Sequence, residues 1–181
     1  MPEGIGERAT DDPGSVATVS SPPEPRDLPK SPLQPGSPAP DFSLLETPDQ
    51  RVTLSELPGP VVLIFYPADW SPVCGDELSM FQAASDLFAK HGGQLLGVSV
   101  DGPWSHIAFR ESRKLGFPLL ADFHPKGQVS QSYGVYRAAD GTSERGLFVL
   151  DRGHVIAWSY LSPIGISPGV DGALQALESL S

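Results

Sequence analysis

Cys74 is the only cysteine in 181 residues. It lies in the segment richest in groups that could do chemistry, Phe65-Tyr66-Pro67-Ala68-Asp69-Trp70-Ser71-Pro72-Val73-Cys74-Gly75-Asp76-Glu77-Leu78. A lone thiol closes no intramolecular disulfide and makes no CxxC couple, so it is either a small buried apolar residue or a nucleophile. Its surroundings favour the nucleophile. Ser71 suits a helix N-cap and Pro72 the first helical position, which puts Cys74 in the first turn. There, unpaired backbone N–H groups and the positive end of the helix dipole favour a thiolate. The four histidines, His91, His106, His124 and His154, are scattered with no cysteine partner at ligand spacing, so no metal site is expected and each is read as structural.

A helix start of this kind has to be delivered by a strand. Val61–Tyr66 is apolar throughout, as expected of a central strand covered on both faces, and it ends just before Pro67. After it, Leu78, Phe81, Ala84 and Phe88 recur near helical spacing, which predicts one helix over about 72–90, stopped by His91-Gly92-Gly93. Leu95–Val100 reads as a second buried strand. Trp104, Ile107, Ala108 and Leu115 mark a second amphipathic helix, and Phe117–Ala121 a short strand. Upstream, Phe42–Leu45 and Arg51–Thr53 form a hairpin about Pro48-Asp49. Downstream, Leu147–Leu150 and Val155–Tyr160 form another through Asp151-Arg152-Gly153, and Val170, Ala173, Leu174 and Leu177 line a last helix. The pattern is a mixed α/β domain over residues 36–181.

The first forty residues hold ten of the twenty prolines and almost no apolar periodicity, so residues 1–35 are expected to form a disordered Pro-rich tail. A net charge of −10 and the absence of a Lys/Arg cluster oppose nucleic acid and anionic lipid as partners. No run of about 18 apolar residues predicts a membrane span, and Met1-Pro2-Glu3-Gly4 has neither a basic nor an apolar leader region, so a cytoplasmic location is expected.

Pro67-x-x-x-Ser71-x-x-Cys74 resembles the active-site motif P-x-x-x-(T/S)-x-x-C of the peroxiredoxins, and Phe65-Tyr66-Pro67 is similar to the family's FYP lead-in. Further blocks follow in family order: Ala39-Pro40-Asp41-Phe42, Gly97-Val98-Ser99-Val100-Asp101, Ser105-His106, Phe117-Pro118-Leu119-Leu120-Ala121-Asp122, Tyr133-Gly134-Val135, and Arg145 through Asp151. The resemblance runs from about residue 36 to the C-terminus and is nearest to the one-cysteine, alkyl hydroperoxide reductase E-like type. It implies a thioredoxin-like fold, with a central mixed β-sheet flanked by helices, and a thiol peroxidase that needs no cofactor. Cys74 would be the peroxidatic thiolate, Ser71 would hydrogen-bond the peroxide, and Pro67 would shield the thiol. Arg145 would hold thiolate and peroxide oxygen, and Glu77 would orient the arginine. A homodimer is implied, with the loops around Trp70 and Pro103-Trp104 as contact regions.

A free thiol of pKa about 8.5 is a few per cent ionised at pH 7, so full ionisation alone gains at most about thirty-fold, roughly 2 kcal/mol. Alignment of the peroxide and stabilisation of charge as the O–O bond breaks would have to supply the rest. With one cysteine, the sulfenic acid must be reduced by a thiol from outside the chain: a small thiol, a thioredoxin- or glutaredoxin-like protein, or Cys74 of another subunit, the last disfavoured if each site is recessed. The sequence departs from the family where Gly75-Asp76 replace the usual Pro-Thr. An inward Asp76 would raise the thiol pKa, whereas an outward one would serve the helix start. Trp70 stands where the family often has Phe. The rival readings are a non-turnover redox sensor and a partner-binding thioredoxin-like domain.

Overall fold

The structure, a computed structural model, describes residues 31–181. The tail expected over 1–35 therefore lies outside the described residues up to position 30. Its last five residues do not stand apart from the domain. Leu33 donates its N–H to the Tyr133 carbonyl at 3.2 Å and packs on the core, so the packed domain reaches back at least to this one apolar residue among prolines.

The elements in chain order are β1 Ser43–Thr47, β2 Gln50–Thr53, β3 Val61–Phe65, α1 Pro72–Ala83, α2 Ser85–Lys90, β4 Gln94–Ser99, α3 Pro103–Arg113, β5 Leu119–Ala121, α4 Gln128–Ser132, β6 Tyr136–Arg137, β7 Thr142–Ser143, β8 Arg145–Leu150, β9 Ile156–Ser162 and α5 Asp171–Glu178. Seven strands make one mixed sheet in the order β2-β1-β5-β4-β3-β8-β9, with β6 and β7 as a separate small hairpin. β3 runs parallel to β4 and antiparallel to β8, which makes it central, as its unbroken apolar run predicts.

Alternation along β3 divides its side chains between two cores. Val62, Ile64 and, just beyond the strand, Tyr66 join Leu78, Phe81, Phe88, Phe109 and Leu177 on the face covered by α1, α2, α3 and α5. Val61, Leu63 and Phe65 join Phe42, Leu54, Val129, Tyr133 and Phe148 on the other. Each Val, Leu or Phe so buried contributes about 1.5–3 kcal/mol relative to exposure. The sheet thus fixes the carboxyl end of β3, where the chain leaves for α1.

The single helix expected over 72–90 is two. Ala84, at φ −94° and ψ 4°, interrupts it, and Leu87 bonds back to the Ala84 carbonyl at 2.9 Å in a tighter, 3₁₀-type step. The bend seats Phe88 against Phe81, with ring centroids 5.6 Å apart. Gly92 at φ +73° ends α2, as the His91-Gly92-Gly93 signal predicts. α4 and the β6–β7 hairpin had no counterpart in the sequence reading. Each is five residues or fewer, too short to show a period.

Candidate active site

β3 ends at Phe65, a loop runs from Tyr66 to Ser71, and α1 begins at Pro72. Ser71 occupies the N-cap with φ −67° and ψ 132°, and its carbonyl accepts the Gly75 N–H at 2.9 Å. Its side chain makes no capping hydrogen bond. The expected N-cap is therefore a backbone cap, and the hydroxyl is not spent on it. Cys74 falls in the first turn, as the capping signals predict, and is fully buried. Pro67 stands half-buried in the loop, five residues before the helix.

Arg145 reaches this turn from 71 residues away. It is the first residue of β8, whose antiparallel pairing with β3 places Gly146 opposite Phe65. Nη2 of Arg145 donates to Cys74 Sγ at 3.5 Å. Nη1 donates to Glu77 Oε2, and both Nε and Nη2 donate to the Ile164 carbonyl, at 3.0 and 2.9 Å. Arg145 as a whole is 1% exposed, so its fork is locked by a carboxylate, a carbonyl and the thiol with almost no competing water. Burial pushes the Glu77 carboxyl up to about 7, against the pull of Arg145, and its Oε1 has no partner among the described residues.

Arg145 therefore bridges Cys74 and Glu77, with Ser71 three residues before the thiol. The Ile164 carbonyl had no signal in the sequence, because a backbone acceptor has no residue identity. The question raised by Gly75-Asp76 is answered by Arg113. Asp76 points outward, with its side chain 77% exposed, and pairs with Arg113 at 3.6 Å. Gly75 is buried beneath the same guanidinium, and a Cβ there would stand 2.5 Å from Arg113 Cζ. Arg113 also lies over the Phe109 ring, 5.9 Å from its centroid, and Phe109 in turn meets Trp70 edge-on at 5.3 Å. Trp70 is 57% exposed and held at φ +63°, a left-handed conformation that costs a bulky residue on the order of 1–2 kcal/mol. Glycine at position 75 thus admits a second guanidinium to the outer side of the cysteine turn.

Comparison with known proteins places the chain in a family. The AhpC/TSA family pattern covers residues 35–159. The chloroplastic 2-Cys peroxiredoxin BAS1 of Hordeum vulgare is 38% identical over 157 residues, covering 80% of this chain and 74% of that protein. Its namesake from Spinacia oleracea is 37% identical, and there the match spans 58% of the longer relative. Among solved structures, peroxidoxin BcpB from Mycobacterium tuberculosis superposes with a TM-score of 0.74 at 29% identity, over 82% of this chain and 99% of that one. The named plant relatives are two-cysteine proteins, and this chain carries one cysteine. The fold is thioredoxin-like, and the chain belongs to the AhpC/TSA family, the peroxiredoxins.

Proposed function

We propose that the protein is a one-cysteine peroxidase that reduces hydrogen peroxide and organic hydroperoxides through Cys74. The observation that carries this reading is the Arg145–Cys74 contact of 3.5 Å inside a dry first helical turn. A guanidinium fixed there stabilises the thiolate and the negative charge that develops on the peroxide oxygens. Sγ attacks one peroxide oxygen, the S–O bond forms and the O–O bond breaks. The leaving hydroxide or alkoxide takes a proton and departs as water or alcohol, and Cys74 is left as sulfenic acid. The uncommitted Ser71 hydroxyl, which can donate and accept, suits the peroxide oxygen, and half-buried Pro67 in the same loop is assigned the shielding of the thiol.

Reduction takes two equivalents of external thiol. The first attacks the sulfenic sulfur, releases water and leaves a mixed disulfide; the second frees the Cys74 thiolate and departs as a disulfide with the first. Because Sγ has no exposed surface, the incoming thiol meets it only when the first turn of α1 yields. A small thiol and a thioredoxin- or glutaredoxin-like protein both satisfy this chemistry. A homodimer belongs to the same proposal, supported by exposed Trp70, Trp104 and Phe123, as does a cytoplasmic location, supported by a cycle that consumes external thiol. Fractionation of a tagged chain into the membrane or secreted pool would contradict that location.

The test is stopped-flow oxidation of reduced protein by hydrogen peroxide, followed by tryptophan emission and by mass-spectrometric trapping of sulfenate. Oxidation far faster than that of a free thiol, abolished in Cys74→Ser and slowed at least a hundredfold in Arg145→Ala, is expected. A wild-type rate no faster than a free thiol sinks the reading.

A further inference from the structure

Resting on that reading, we propose that Asp69 and His106 are a positioning pair for peroxide attack, in which a buried carboxylate gripped by three side chains holds the Pro67–Ser71 loop against the cysteine turn.

Asp69 sits midway between Pro67 and Ser71 and is 5% exposed. Its Oδ1 accepts the Tyr66 hydroxyl at 2.8 Å and its Oδ2 accepts the Ser105 hydroxyl at 2.7 Å. Nδ1 of His106, a residue with no exposed surface, lies 3.2 and 3.0 Å from the two oxygens. An ionised carboxylate only accepts, so Nδ1 carries the hydrogen and donates it. Burial and the Asp69 charge push the Tyr66 hydroxyl well above its ordinary value, so it remains a donor. The Asp69 main chain is held as well, its N–H donating at 2.8 Å to Asp101 Oδ2, which also accepts the Ser99 hydroxyl at 2.7 Å. One loop residue is therefore stitched to the ends of β3 and β4 and to the first turn of α3.

Two features show that this grip serves position rather than bulk. The Nε2 of His106 is buried without a partner among the described residues, so an apolar ring would pack there at lower cost unless the Nδ1–H were needed. The residue after Asp69 is Trp70 at φ +63°, a backbone state that persists only where its surroundings over-determine it. Loosening by an ångström or less is enough to misalign a peroxide between Ser71 and Sγ.

The experiment compares two reactions of the same thiol. Oxidation by hydrogen peroxide needs aligned partners, whereas alkylation by iodoacetamide reports only the reach and nucleophilicity of Sγ. In Asp69→Asn and His106→Phe the peroxide rate is expected to fall at least tenfold with alkylation holding or rising, and His106→Gln, which keeps an N–H donor, should recover most of the loss. Ser105→Ala and Tyr66→Phe, each removing one donor, should lower the peroxide-to-alkylation ratio by about two- to fivefold. They decide the matter if the stronger variants do not fold. An unchanged ratio, or two rates falling in proportion, overturns the proposal. Failure of the peroxidase reading itself would show separately, as a wild-type peroxide rate no faster than a free thiol.

Discussion

The Ser71 hydroxyl separates stability from chemistry. Losing a true side-chain N-cap costs about 0.5–2 kcal/mol, but here the cap is made by the backbone. Ser71→Ala should therefore lower the melting temperature little while slowing peroxide oxidation at least tenfold, and Ser71→Thr should restore the rate; differential scanning calorimetry beside stopped flow checks both halves. Glu77 carries a pH signature. Its folded value of about 7 lies above the ordinary 4.5, so between these values the native state holds a proton that the unfolded chain releases. Stability from this group is thus fullest below pH 4.5, is lost progressively as pH rises through 7, by about 3 kcal/mol in all, and levels off about a unit above. Urea unfolding at several pH values should show that slope as the difference between the wild type and Glu77→Gln, which has nothing to titrate.

At the scale of elements, the first turn of α1 is clamped from outside by Arg113, and Gly75 is what lets the guanidinium in. Gly75→Ala sits within a helix, where alanine is normally favoured by about 1 kcal/mol. Here that gain should be largely offset, because the new Cβ displaces the guanidinium end of Arg113, a flexible and partly exposed side chain, from Asp76 and Phe109. Measured against Arg113→Ala alone, adding Gly75→Ala should show the full helix-favouring gain, a difference from the wild-type background that denaturant titration of the three variants would reveal. The cysteine turn was legible in the sequence because its determinants, Ser71, Pro72 and the apolar run of β3, are local. Arg145 was placed there only by resemblance to a known family, since its approach depends on which strand pairs with β3. Arg113 and the Asp69–His106 pair were missed, because a cation facing a glycine and a contact spanning 37 residues leave no periodic trace. The break at Ala84 was missed for a similar reason: no glycine or proline marks it.

Across the whole molecule, exposed aromatic surface gathers on the side that carries the cysteine loop. Trp104 is 74% exposed, and Phe123 lies beside Gly102, at the start of the same helix. If this face closes a dimer, Trp104→Asp should convert it to monomer in sedimentation velocity at micromolar concentration, with the melting temperature falling as the subunits part. Described residues include no helix long and apolar enough to cross a membrane.

The enclosure of Cys74 also bears on storage and handling. A sulfur with no exposed surface cannot touch the sulfur of a neighbouring molecule, so the folded, reduced protein should stand in air without forming covalent pairs. Unfolding removes that protection at once. A non-reducing gel of protein oxidised in guanidinium should show a band at twice the chain mass that the same treatment of folded protein does not produce, which turns the lone cysteine into a simple assay for how often the molecule opens.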